Sequence, residues 1–191
     1  FIYEIYYHCF YIKNTNNPSA PGTRIVPTRS EQGRPVKGIS ADSGFSILYV
    51  SKYLMNREVG FGRKLLQIIE EEDISYEHTP SGLDDISVIM RSNQLTPEKE
   101  ERIVRRVKEE LHADDVNFRH GFSMIVIVGE GMRHNTGLAA RATKAISSTG
   151  ANIEMINQGS SEVSLVFGVN QKYEDQILKA LYSEFFSIVN A

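Results

Sequence analysis

Two segments of this chain, Ser46-Ile47-Leu48-Tyr49-Val50 and Ser123-Met124-Ile125-Val126-Ile127, match one another, and the likeness continues beyond them. In each copy a methionine comes next and, five residues on, a glycine: Met55 to Gly60, and Met132 to Gly137. Each glycine leads into a helix-like stretch, and Ser87 and Ser164 then fall at the same offset amid apolar alternation. Such a repeat constrains the fold strongly. Each copy must form the same supersecondary unit and must bury its apolar face against something.

The first copy reads strand, helix, strand, strand, helix, strand. Phe61, Leu65, Ile68 and Ile69 make an apolar stripe on a helix expected over residues 60–72. A hairpin is expected to join Ile74–His78 to Asp85–Arg91 across Pro80-Ser81-Gly82. Thr96 followed by Pro97 is a helix start, with Ile103, Val104, Val107 and Leu111 on one face and Glu98–Arg102 and Glu101–Arg105 as i,i+4 pairs. Val116–His120 closes the unit. The second copy repeats the order with Phe122–Val128, a helix over 137–149, Ile153–Asn157, Val163–Val169 and a last helix turning Ile177, Leu178, Leu181, Tyr182 and Phe185 inward. No fourth strand follows that helix, so the strand-like Val36–Asp42 is expected to cross over and complete the second sheet.

The fold class expected is therefore α+β: two ferredoxin-like βαββαβ units in tandem, interlocked by a strand from the linker. Residues 1–38 precede them, 39–120 form the first unit and 121–191 the second. Lys13 to Gly38 carries Asn14, Asn16, Asn17, Pro18, Pro21, Gly22, Pro27, Gly33 and Pro35 and reads as loop and linker. Units this small have thin cores, so an oligomer is expected.

Charge and composition exclude several functions. With 21 basic and 24 acidic residues the formal charge is −3, and Arg102, Arg105, Arg106 and Lys108 are interleaved with glutamates, which argues against nucleic acid. The aromatic run Phe1–Ile12 contains Glu4 and His8, is too short to span a bilayer and lacks a basic leader. A single cysteine, Cys9, excludes an intrachain disulfide and a cysteine metal cage and fits a reducing cytoplasm. His8, His78, His112, His120 and His134 show no metal-ligand spacing. No phosphate loop or complete dinucleotide fingerprint is present, and no arranged catalytic triad is expected. An RNA-binding module on this fold would need exposed aromatics on the central strands, where Ser46, Leu48, Ser123 and Ile125 are expected instead. That reading, or a protein-interaction module without a small ligand, is the alternative. An acylphosphatase-like hydrolase would have Arg57 and Arg133 in loops but no glycine-rich phosphate cradle.

The positive signal is the start of the first helix in each copy. Unpaired N–H groups and the positive dipole end make a seat for a carboxylate, and Gly60 and Gly137 let a ligand approach the backbone. Around Gly60 lie Glu58, Glu77, Asp84 and Asp85, a setting for a zwitterion carrying an extra cation, such as lysine. Around Gly137 the residues are polar: Met132, Asn135, Thr136, Asn157 and Gln158 make a second candidate site, suited to a neutral amino acid.

These residues resemble a known family. Lys13-Asn14-Thr15-Asn16-Asn17-Pro18 with Pro21-Gly22-Thr23 resembles the end of the aspartokinase kinase domain. Val128-Gly129-Glu130-Gly131-Met132 and Ile156-Asn157-Gln158-Gly159-Ser160-Ser161-Glu162 resemble the paired regulatory ACT domains of that family. The resemblance implies feedback control of ATP-dependent aspartate phosphorylation in lysine, threonine and methionine synthesis. It implies a homodimer through the ACT-like units and an effector, lysine foremost, with threonine or methionine as alternatives. Carried onto this chain, the effector contacts are Met55, Glu58, Gly60, Phe61, Gly62, Tyr76, Glu77, Ser81, Asp84 and Asp85. ATP and magnesium belong to the intact enzyme. The family's kinase signature, a lysine followed by Phe-Gly-Gly, is nowhere in residues 1–191, so no cofactor, no catalytic residue and no kinase activity are expected of this chain alone.

Overall fold

The structure, a computed structural model, describes residues 10–26, 34–133 and 135–187. The expectations for residues 1–9, including Cys9 and His8, and for His134 lie outside them. The chain divides into two units, one up to Gly33 and one from Arg34 onward. In the first, β1 (Phe10–Ile12) pairs antiparallel with β2 (Thr23–Ile25), so the stretch read as loop and linker contains a hairpin strand. Its connection is tightened by bonds from Asn17 N to Asn14 O (3.0 Å) and from Ala20 N to Asn17 O (3.2 Å).

The second unit is built on two long strands, β3 (Gly38–Ser51) and β5 (Asp115–Val128), each 14 residues. They pair antiparallel from Gly38↔Val128 to Ser51↔Asp115. With β4 (Asp85–Arg91), β6 (Ile153–Gln158) and β7 (Ser164–Asn170) they form one five-stranded sheet in the order β4-β3-β5-β7-β6. The strands expected to end the first copy and begin the second are thus one strand, β5. The linker segment Gly38–Asp42 lies beside Val128–Met124 as the N-terminal part of β3. The expected strand Ile74–His78 is reduced to a bridge, with Glu77 N bonded to Ile89 O (2.8 Å) and Ile89 N to His78 O (2.9 Å).

Four helices cover the sheet: α1 (Phe61–Glu71), α2 (Pro97–Leu111), α3 (Leu138–Ser147) and α4 (Glu174–Phe186). Phe61, Leu65, Ile68 and Ile69 of α1 and Ile103, Val107 and Leu111 of α2 pack on Leu48, Val50, Val88 and Met90. Leu138, Ala142 and Ile146 of α3 and Ile177, Leu181 and Phe185 of α4 pack on Ile125, Ile127, Leu165 and Phe167. Tyr182 faces outward, stacked on Phe186 at 5.2 Å, because at position i+1 from Leu181 it leaves the buried stripe. Thr96 caps α2 by accepting from Lys99 N (3.3 Å). Arg102 pairs with Glu72 (2.8 Å) rather than Glu98, and Arg106 with Glu71 and Glu110 (both 2.6 Å), so the α2 arginines clamp the end of α1.

The alternation along β3 and β5 changes phase midway. Ser46, Leu48 and Val50 are buried towards α1 and α2, whereas Ile39 and Ala41 join the core under α3 and α4. Gly44 (φ 83°) and Gly121 (φ 73°) stand at the change, in backbone that disfavours a side chain. The sheet curls there, and the helix-free faces of its two halves meet: Phe45, Ile47 and Ile89 cluster with Phe122, Met124 and Met155.

Gly168 lies under the Phe122 ring, which a Cβ at that position would strike. Gly168→Ala is expected to destabilise the fold by about 1–3 kcal/mol in urea titration, and Phe122→Leu in the same chain to recover part of the loss.

Candidate functional site

The clearest concavity beside a helix start belongs to the second copy. Gly137 (φ 86°) is the N-cap of α3, and the first intrahelical bond runs from Arg141 N to Gly137 O (3.0 Å). The N–H groups of Leu138 and Ala139 therefore have no partner within the helix. Here a cavity of about 220 Å³ is lined by apolar Met132, Leu138 and Leu165 and by polar Asn135, Thr136, Gln158 and Glu162. Arg133 Nη2 donates to Ser161 O (3.2 Å) and Glu162 N to Gly159 O (2.9 Å), which fixes the loop that presents Glu162. Helix N–H groups can take a carboxylate, Glu162 an ammonium, and the amides a polar side group. Asn157 is the exception among the residues expected here. It stands opposite Val166, while Gln158 stands opposite Leu165, so strand alternation puts the two on opposite faces of β6.

The first copy repeats the local geometry. Met55 is buried, Gly60 (φ 81°) caps α1, Phe61 is buried, and a Cβ on Gly60 or Gly62 would meet open space. The acids expected around it do not converge within one chain. Glu58 is held by Lys52 and by Lys64 (3.2 Å), and Lys52 also donates to Leu111 O (2.7 Å). Glu77 faces Arg91 (3.5 Å), which also holds Asp42. Asp84 accepts from Leu54 N (2.9 Å) and so shapes the loop before α1. Tyr76 is exposed, and Ser81 and Asp85 line a different cleft, on the helix-free side of the sheet.

Other groups are structural. Ser46 Oγ lies 2.9 Å from His120 Nδ1, and His120 Nε2 lies 3.5 Å from Glu100, residue types that can relay a proton. Ser46 is wholly buried, however, so no substrate reaches its hydroxyl. Leu48, Ser123 and Ile125 are buried against the helices too; on the helix-free face Phe45 and Phe122 are covered and Tyr49 is half-buried in a cleft, so no row of exposed aromatics offers bases a stacking platform there. His78 Nε2 is buried without a hydrogen-bond partner among the described residues, and burial lowers its pKa. Among the described residues no histidine, cysteine or acidic cluster could hold a metal ion, and no helix is long and apolar enough to cross a membrane.

A family model described as an ACT domain matches residues 125–185. Aspartokinase 3 of Bacillus subtilis (strain 168) is 55% identical over 176 residues, a match covering 92% of this chain and 39% of that protein. The chloroplastic aspartokinase 1 of Arabidopsis thaliana is 30% identical over 177 residues, 92% of this chain and 31% of that protein. Among solved structures, the aspartate kinase of Clostridium acetobutylicum superposes with a TM-score of 0.86 at 34% identity over 93% of this chain and 41% of that one. The chain belongs with the C-terminal regulatory regions of aspartokinases. It spans about two fifths of the length of the first of these relatives. The regulatory subunit of aspartate kinase from Thermus flavus, 22% identical with a TM-score of 0.69, has the same fold over 80% of this chain and 99% of its own.

In this regulatory region the residue that reading by helix starts overlooked is Glu162. Its signal was the motif Ile156–Glu162 itself, whose last residue bends back at φ 56° to face α3. Hydrogen bonds from Lys52 and then Lys64 hold the Glu58 carboxyl below its ordinary value of 4.5. A carboxyl lowered in the folded state stabilises above its unfolded value and loses that contribution as pH falls through the folded one. Glu58→Gln is expected to lower the urea midpoint near neutral pH, with the gap to wild type closing below pH 4.5; a gap independent of pH would contradict the pairing.

Proposed function

We propose that this chain is the amino-acid-sensing part of an aspartokinase, controlling the ATP-dependent phosphorylation of L-aspartate by a kinase domain that lies outside these residues. The observation that carries this reading is the duplicated loop, Met55 to Gly60 and Met132 to Gly137, which in both copies ends in a left-handed glycine capping a helix. At Gly137 it opens on a cavity with a carboxylate on the opposite wall. Lysine is the foremost effector for the Gly60 site, with threonine or methionine as alternatives and a neutral amino acid at Gly137. Escherichia coli aspartokinase III, whose likeness to this chain is one of fold (17% identity, TM-score 0.69), has been solved in complex with lysine and aspartate.

The Gly60 site is completed in this proposal by a second copy of the chain. Tyr53, Val59 and Leu83 are 74%, 94% and 72% exposed beside the open start of α1, a patch that a homodimer would cover. An effector binding one dimer arrangement better shifts the population towards it. ATP and magnesium are assigned to the kinase domain, and the setting to the cytoplasm.

Calorimetric titration of the chain with lysine, threonine and methionine tests the reading. At least one is expected to bind, and Gly137→Val to weaken the ligand of the second site by about tenfold or more. Sedimentation is expected to show a dimer that Val59→Glu weakens. Heat from none of the three amino acids would overturn the sensor assignment.

A further inference from the structure

The curl of the sheet leaves a cleft that neither helix start uses. It has a volume of about 350 Å³ and lies between the helix-free face of β3, β4 and β5 and the facing strand β6. Tyr49 and Ser87, cross-strand neighbours, form part of its floor with Ile47 and Ile89. Asp85 stands at one end and Arg119 at the other, where Arg119 Nη1 donates to Glu154 at 3.3 Å across the cleft. That bond uses one of the five guanidinium N–H donors. Among the described residues no hydrogen bond or ion pair engages the side chains of Asp85, Tyr49 or Ser87, so a carboxylate and two hydroxyls face the cleft unpaired.

The register sets the distance between the charged ends. Asp85 is opposite Ser51, and Arg119 is opposite Ile47, with β3 between their strands. Four residues at about 3.4 Å and two strand spacings of about 4.8 Å put the two α-carbons roughly 17 Å apart, of which the side chains span about half. An α-amino acid head group is too short to reach both ends.

We propose that this cleft binds a small elongated zwitterion, with its carboxylate on Arg119, its distal ammonium on Asp85 and its methylenes over Ile47 and Ile89. The occupant touches strands from both copies. Because β6 also carries Gln158 of the α3 cavity, binding here bears on the geometry of that cavity as well.

The probe is 6-aminohexanoate, which has both charged ends and no α-amino group. Titrated into the 191-residue chain with amide chemical shifts as the readout, it is expected to move Ser87 and Arg119 and to leave Gly60–Gly62 and Leu138–Ala139 in place. Arg119→Met and Asp85→Asn should each weaken it by about tenfold or more. Hexanoate, lacking the ammonium, should bind comparably more weakly. Asp85→Asn serves where loss of the Arg119–Glu154 pair impairs folding, which the thermal midpoint reports. No shift at tens of millimolar probe, shifts at the helix starts alone, or unchanged affinity in both variants would overturn the proposal. The probe lacks the α-amino acid head that the helix-start sites require, so this result and the effector titrations stand or fall separately.

Discussion

Everything in the larger unit hangs on the hydrogen-bonded ladder between β3 and β5. Each of these strands serves both copies: its one half lies under α1 and α2, its other half under α3 and α4. Backbone pairing of that length fixes register, and register decides which side chains are buried, since a slip of one residue would turn Leu48 and Ile125 out of their cores. Gly44 and Gly121 stand where register shifts interrupt the ladder, between Asp42 and Ile47, and let the strands bend there before pairing resumes. The bend in turn creates the third apolar cluster and the cleft beside it.

Two buried serines mark the same design at finer scale. Ser46 and Ser123 occupy equivalent places in the repeat and are both fully buried. A buried hydroxyl must find partners, and each finds one at or just before the second helix of its copy and another on a neighbouring long strand. Ser46 meets Ser92 at 2.7 Å and His120 at 2.9 Å, while the Ser123 hydroxyl has two acceptors within reach, Asp42 O at 3.0 Å and the Glu174 carboxylate. These contacts tie the middle strands to α2 and α4. Because His120 and Ser123 both sit on β5, either side of Gly121, the two anchorages are separated only by the bend.

The sequence was most legible where a local signal and the fold agree. The stripe Phe61–Ile69, the Thr96-Pro97 start and the Met–Gly loops all act within a few residues, and each lies where its pattern placed it. What the pattern lacked was the sheet's curvature. Nothing in the alternation of β3 says that its phase changes at Gly44, so the sequence alone places Ser46 and Leu48 on the open face. The same gap separates the acids read together near Gly60. Glu58 precedes a helix, but Glu77 and Asp85 flank a strand, and a two-residue period sends them to the other side of the sheet. Local spacing points Arg102 to Glu98 on its own helix, because a neighbour as distant in sequence as Glu72 leaves no mark on it.

Strand sharing also bears on how such a protein can have arisen and be rearranged. Since Gly38–Asp42 pairs with Met124–Val128, a segment cut between the copies would leave Met124–Val128 without the neighbour strand on that side. Neither copy is therefore a portable module in gene fusion or recombination. The pair travels as a whole, the N-terminal half of β3 included, and the midpoint of the repeat is no place for an insertion.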